Sequence, residues 1–143
     1  NIFGRNAFLV GRNGNPQDIQ DVSDKPDLGK TYWVWSDGER DISIPGYSID
    51  IDRYSVPLQS GWNILINPFQ ETLSWKDNIL VRETEVDEYI PAHQAADLID
   101  PSIYTWASDG YLRMEMSTAT LSPGVSYLIK AKKDCSLMVV RAK

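Results

Sequence analysis

Several residue types are scarce in this 143-residue chain. It has one cysteine (Cys135) and one histidine (His93). A lone cysteine excludes an internal disulfide. Within the apolar run Cys135-Ser136-Leu137-Met138-Val139-Val140 it reads as a small buried residue, not a nucleophile. One cysteine and one histidine also exclude a Cys/His zinc cluster. There is no phosphate-cradling glycine loop, no dinucleotide fingerprint and no Gly-x-Ser-x-Gly elbow. His93 reads as a surface or packing residue. A glycosidase needs only two carboxylates, but nothing singles out a pair among the 20 acidic residues. The chain therefore reads as a non-enzyme.

Positive charge is also sparse: 14 Lys and Arg stand against 20 Asp and Glu, for a net charge of −6. Nucleic-acid affinity comes largely from cations neutralising phosphates, so nucleic acid is not an expected partner. An anionic membrane surface is excluded on the same ground. No apolar run approaches the ~20 residues of a membrane span. No signal peptide is visible. The chain starts at Asn1, which fits a processed chain or an excised fragment and allows a removed export signal.

What is present is a foldable, β-patterned chain. A 42% hydrophobic content over this length suits one domain with a real core. Residues 1–30 hold four of the nine glycines and read as an N-terminal arm or extended lead-in, with one short strand at Ala7-Phe8-Leu9-Val10. Residues 31–143 read as one domain. Its expected strands include Tyr32-Trp33-Val34-Trp35, the alternating stretch from Tyr47 to Val56, the apolar run from Trp62 to Ile66, and Ile79 to Arg82. Further strands are expected at Ile103–Trp106, Tyr111–Met116, Val125–Lys130 and Leu137–Val140. One short helix is expected over Ala92 to Ile99, between Pro91 and Pro101.

Two phrases recur in the same order. Tyr32-Trp33-Val34-Trp35-Ser36-Asp37-Gly38 resembles Tyr104-Thr105-Trp106-Ala107-Ser108-Asp109-Gly110. Leu58-Gln59-Ser60-Gly61, with its strand to Ile66, resembles Leu121-Ser122-Pro123-Gly124, with its strand to Ile129. Asp-Gly supplies tight-turn chemistry after an aromatic strand. The expected fold class is all-β: an antiparallel β-sandwich of two tandem related units with one short helix.

The string Ser60-Gly61-Trp62-Asn63-Ile64-Leu65-Ile66-Asn67-Pro68-Phe69 is followed by Ser74-Trp75, Tyr104-Thr105-Trp106, Asp109-Gly110-Tyr111 and Leu121-Ser122-Pro123-Gly124 with Tyr127. It resembles the GWNLIGNPF-type β-modules of large bacterial secreted and cell-surface proteins. The resemblance covers about residues 58–140, with a partial earlier copy from Thr31. It departs at Gly124-Val125-Ser126-Tyr127, where those modules usually carry a second glycine. It implies an extracellular, non-catalytic β-sandwich used as an appendage or assembly unit.

Three groups of residues are candidates for function. The first is Ala7, Phe8, Leu9 and Val10, an assembly arm whose strand would add to the sheet edge of a neighbouring subunit. The second is the aromatics. Among five Trp and seven Tyr, Trp33 and Trp75 are the candidate glycan platform, with Tyr111 a further member, while Trp35, Trp62 and Trp106 are expected in the core. The third is Asp18, Asp21, Asp24 and Asp27, which recur every third residue as a candidate calcium loop. No Asp-x-Asn-x-Asp-Gly order supports that loop, and a solvated acidic stretch is the plainer reading. No other cofactor is implied. The expected function is a structural or assembly module at the cell surface, joined to copies of itself or to other surface proteins. The alternative is a carbohydrate-binding module.

Overall fold

The computed structural model describes residues 50–142 together with the strand backbones of residues 7–10, 16–18 and 32–34. In chain order the elements are β1 (Ala7–Val10), β2 (Pro16–Asp18), β3 (Tyr32–Val34), β4 (Arg53–Leu58), β5 (Gly61–Ile66), β6 (Leu73–Ser74) and α1 (Trp75–Asn78). Then follow β7 (Ile79–Glu83), β8 (Ile90–Pro91), a 3-10 turn (Ala92–Gln94), β9 (Ile99–Ala107), β10 (Gly110–Glu115), β11 (Thr120–Leu121), β12 (Ser126–Ala131) and β13 (Cys135–Val140). Two four-stranded antiparallel sheets, β10-β9-β12-β5 and β4-β13-β7-β8, form an all-β sandwich. A two-stranded ribbon, β11-β6, and a three-stranded sheet, β2-β1-β3, complete the topology. Among the described residues no helix is long and apolar enough to cross a membrane.

Alternation builds the core. On β13, Cys135, Leu137 and Val139 are buried, and on β7 so are Ile79 and Val81. From the other sheet, Leu65, Ile99, Ile103, Tyr127, Ile129 and Ala131 are buried. Each such large side chain contributes about 1.5–3 kcal/mol on leaving water. Burial, with the charge of Asp134 adding to it, pushes the Cys135 thiol up to about 11.

The chain changes sheets at two corners that are tied together. Between β4 and β5, Gly61 adopts φ +106°, a region that side chains other than glycine's rarely enter. The Ser60 amide donates to Asp134 Oδ1 at 2.8 Å, and its hydroxyl donates to the Lys132 carbonyl, both in the β12–β13 corner. Asn63 is buried; its amide donates to the Gln59 and Gly61 carbonyls and accepts from the Gln59 N–H. Four residues on, buried Asn67 donates to the Glu71 and Leu121 carbonyls and accepts from the Phe69 N–H. Buried Tyr127 accepts from the Ser122 N–H at 2.8 Å and fixes the turn into β12. These contacts account for the Gly-Trp-Asn…Asn-Pro-Phe and Leu-Ser-Pro-Gly…Tyr phrases as fold determinants.

The helix falls elsewhere than the sequence suggests. Residues 92–94 make only a 3-10 turn, and β9 already begins at Ile99. A segment that short cannot offset the cost of helix nucleation, and Ala95, Leu98 and Ile99 are drawn into the core. Among the described residues the one α-helical turn is Trp75–Asn78, capped by the Ser74 hydroxyl, which accepts from the Asp77 N–H. Pro101 lies within β9 rather than ending a helix. Its main-chain groups face Met116, whose N–H donates to the Pro101 carbonyl just beyond the end of β10, so the missing N–H removes no bond from the paired strands.

Two further expectations are modified. Tyr32–Val34 pairs with β1, so the strand placed at the head of the sandwich domain belongs to the same small sheet as the arm. The second recurring phrase does not fold as a superposable copy. Aligning Gly61 with Gly124 matches buried Leu65 to half-exposed Leu128, and half-exposed Ile66 to buried Ile129. A period of two makes a one-residue offset sufficient to reverse the faces.

Asn67→Ala is expected to destabilise the fold by about 2–4 kcal/mol, because it orphans the buried Phe69 N–H and the Leu121 carbonyl. Thermal unfolding monitored by circular dichroism should show a Tm about 10 °C lower. The buried thiol predicts that Cys135 resists iodoacetamide at pH 8 in the native state and reacts promptly in denaturant; fast native alkylation would contradict its place in the core.

Candidate interaction face

The outward side of the β10-β9-β12-β5 sheet follows from the register. Because Asn63 and Leu65 point inward, Trp62, Ile64 and Ile66 point outward along β5. Their partners on β12 are Lys130, Leu128 and Ser126. Leu128 pairs in turn with Tyr104 on β9, and Tyr104 with Arg113 on β10. Trp106 pairs with Tyr111, and Ser102 with Glu115. One face thus carries four aromatic rings with aliphatic side chains between them.

The rings form two perpendicular pairs. Trp62 meets Tyr104 edge-to-face at 5.6 Å, and Trp106 meets Tyr111 at 5.0 Å. Such pairs contribute roughly 0.5–1.5 kcal/mol beyond simple burial and hold the rings in place. Lys130 Nζ lies 5.8 Å from the centre of the Trp62 ring. Arg113 donates from Nε to the Ser102 hydroxyl and pairs with Glu115 at 2.8 Å. The rings nevertheless remain open to solvent: Trp62 is 48% exposed, Trp106 61% and Tyr111 64%.

The opposite outer face of the sandwich differs. There Arg53, Ser55 and Pro57 of β4 are exposed, and Arg82, Ser136 and the aliphatic Leu80, Met138 and Val140 are half-buried. Arg82 stacks over Tyr89 at 5.2 Å and binds Asp87, which ties the β7–β8 connection down. Partial burial opposes ionisation of Tyr89. Hydrogen bonds with Ser136, Ser55 and Arg82, and the charge of Arg82, outweigh it and hold the phenol below its ordinary range. This is a local structural clamp on a face of mixed polar and aliphatic side chains, without exposed large aromatics among the described residues.

The aromatic assignments are largely exchanged relative to the sequence reading. Trp75, a candidate platform residue, is fully buried (0%) and offers no face to a ligand. Its main-chain N–H donates to the Ala119 carbonyl, and its ring is held in the core beneath the β6–β11 ribbon. Trp62 and Trp106, expected in the core, are the exposed ones. Tyr111 lies on the open face, as a platform member would. The side chain of Trp33 lies outside the described residues, and so does Trp35.

Ala7, Phe8, Leu9 and Val10 do form a strand, but it is the central one of its sheet. Phe8 pairs with Asp18 on one side and with Trp33 on the other. Both of its edges are occupied by β2 and β3 of the same chain. Asp18 ends β2; its side chain, with Asp21, Asp24 and Asp27, lies outside the described residues. Among the described residues no three His, Cys, Asp or Glu side chains gather as metal ligands. His93 sits in the 3-10 turn, 3.3 Å from the Gln94 amide.

No protein family, curated protein or solved structure matches this chain.

The exchange of roles predicts opposite outcomes for two equal substitutions. Trp75→Ala should cost about 3–5 kcal/mol through lost burial and a cavity. Trp106→Ala should cost under about 1.5 kcal/mol, mostly the edge-to-face pair with Tyr111. Chemical denaturation of both variants checks this; equal losses would place Trp106 in the core.

Proposed function

We propose that this chain is a non-catalytic structural and interaction module of an extracellular bacterial surface assembly, and that it works through the aromatic face of the β10-β9-β12-β5 sheet. The observation that carries the proposal is the exposure of Trp62, Trp106 and Tyr111 on one ordered surface. Tryptophan, tyrosine and arginine are the residue types that anchor protein interfaces, and Arg113 stands among them. The resemblance to modules of secreted and surface proteins supports the extracellular placement. The net charge of −6 supports partners other than nucleic acid.

A protein surface suits this face better than a flat sugar platform. The perpendicular pairs present the face of one ring and the edge of the next, whereas stacked sugars favour flat exposed faces. Ile64, Ile66 and Leu128 fill the ground between the rings with aliphatic surface. Strand spacing of about 4.8 Å and a same-face repeat of about 6.8 Å give an ordered area of only about 200 Å². A stable interface uses about 800 Å² per partner, so the aromatic patch would be the centre of a larger contact. Carbohydrate binding is the second reading. The high exposure of Trp106 and Tyr111 at one end of the face favours it.

Acrylamide quenching of tryptophan emission separates the two. The expected result is protection that grows with protein concentration, is lost in the Trp62→Ala/Trp106→Ala variant, and is absent with a panel of polysaccharides. Protection by a polysaccharide at low protein concentration would install the carbohydrate reading instead. Quenching unaltered by either would remove the face as the working surface.

A further inference from the structure

The aromatic sheet has an edge that carries its own information. Among the described residues β10 has one neighbour, β9, and its other side is unpaired. Which main-chain groups are unpaired can be read off the ladder. Ala107 and Gly110 close a two-residue hairpin, and a closing pair exchanges both main-chain bonds. The same parity continues to the far end, where the Met116 N–H donates to the Pro101 carbonyl at 2.9 Å. Gly110, Leu112 and Met114 therefore direct their N–H and C=O groups at β9. Those of Tyr111, Arg113 and Glu115 point away from the sheet.

The side chains are equally one-sided. Tyr111 and Arg113 lie on the outer face. Leu112 pairs with Thr105 on the core side, yet it is 52% exposed, and no described strand lies beyond it at the rim. A leucine at that place on an open edge is a liability unless something pairs with it. Natural edges carry inward-pointing charges, prolines or bulges for this reason, and between Gly110 and Glu115 none is present on the core side.

We propose that β10 pairs antiparallel with β10 of a second copy, about a two-fold axis through Leu112, so that two sheets join into one continuous eight-stranded sheet. Three features select this register. The outward-pointing groups of Tyr111 meet those of Arg113 in the partner, and the two-fold repeats the pair, so the free donors and acceptors are matched. The exposed leucine packs on its own copy. The guanidinium comes opposite the ring of Tyr111, an arrangement favourable for a cation over an aromatic. Shifting the axis to Arg113 would instead oppose two guanidiniums, and like charges directly opposite are unfavourable. The seam is short, so the dimer forms at micromolar concentrations or above and strengthens where copies are held close. It leaves the aromatic faces of the two copies side by side.

The inference is independent of what the aromatic face binds, and its test strikes the edge alone. Sedimentation equilibrium of the full chain should show a concentration-dependent monomer–dimer equilibrium. Leu112→Lys places a charge against its own copy and should leave a folded monomer. Arg113→Pro removes an outward N–H that β9 does not use, and should do the same. Trp62→Ala, on the far strand β5, should leave the dimer intact, which separates failure of the face from failure of the edge. Leu112→Cys should form a covalent dimer on mild oxidation, because residues directly opposite at a non-hydrogen-bonded position lie about 4.5 Å apart at Cα. A wild-type chain that stays monomeric at several hundred micromolar would overturn the proposal. So would a dimer that survives both Leu112→Lys and Arg113→Pro, with circular dichroism confirming the fold of each variant.

Discussion

The orientation of β5 rests on two buried amides spaced four residues apart. Asn63 and Asn67 both point inward, and each finds carbonyls to donate to and an N–H to accept from. A buried polar group without such partners costs about 1–3 kcal/mol, so the strand cannot turn over without orphaning both. With their direction set, Leu65 enters the core and Trp62, Ile64 and Ile66 face out. Pairing carries that parity through β12 to β9 and β10. The aromatic face is thus the obligatory other side of an asparagine-anchored strand. Asn67 also reaches the Leu121 carbonyl and so holds the β6–β11 ribbon where Trp75 is buried.

Fold class was legible because alternation and turn chemistry do not depend on tertiary detail. The period of two on β13 and the Ser108-Asp109-Gly110 turn, with Gly110 at φ +140°, predict strands and a hairpin that the structure contains. The allocation of tryptophans was not legible, for a physical reason. On β5 the outward Trp62, Ile64 and Ile66 are more apolar than the inward Asn63 and Leu65, so hydrophobicity alone points to the wrong face. The signal that could have decided it was polar: Asn63 and Asn67 share a parity with Leu65, and an inward asparagine beside a Gly61 turn is one with carbonyls to satisfy. Trp75 was misleading for the converse reason. It stands between Ser74 and Lys76, polar neighbours that suggest exposure, but one helical turn points it into the core.

The recurring phrases show how far local resemblance carries. The glycines of both second phrases, Gly61 and Gly124, do adopt positive φ, Gly61 at the first position of β5 and Gly124 two residues before β12. That much is turn chemistry, and turn chemistry repeats. Yet the strands that follow pair with each other antiparallel in one sheet, with the matched residues on opposite faces. The phrases specify a turn and a strand, and the side chains that must be buried choose the face.

The two outer faces of the sandwich act as controls for each other. They belong to the same chain, with the same solvent and the same need for solubility. One carries arginine, serine and proline from β4, a clamped Arg82–Tyr89 pair and half-buried Leu80, Met138 and Val140. The other leaves three large aromatics open. Exposed apolar area is disfavoured by roughly 25 cal/mol per Å², so an ordered cluster held by edge-to-face pairs is not what solubility alone would produce. Among the described residues the β10 edge of the same sheet is unpaired. A single sheet thus carries both the open aromatics and the β10 edge with its exposed leucine, while its companion sheet shows no large exposed aromatic among the described residues. That division argues that the β10-β9-β12-β5 sheet is the contact surface and the β4-β13-β7-β8 sheet its support.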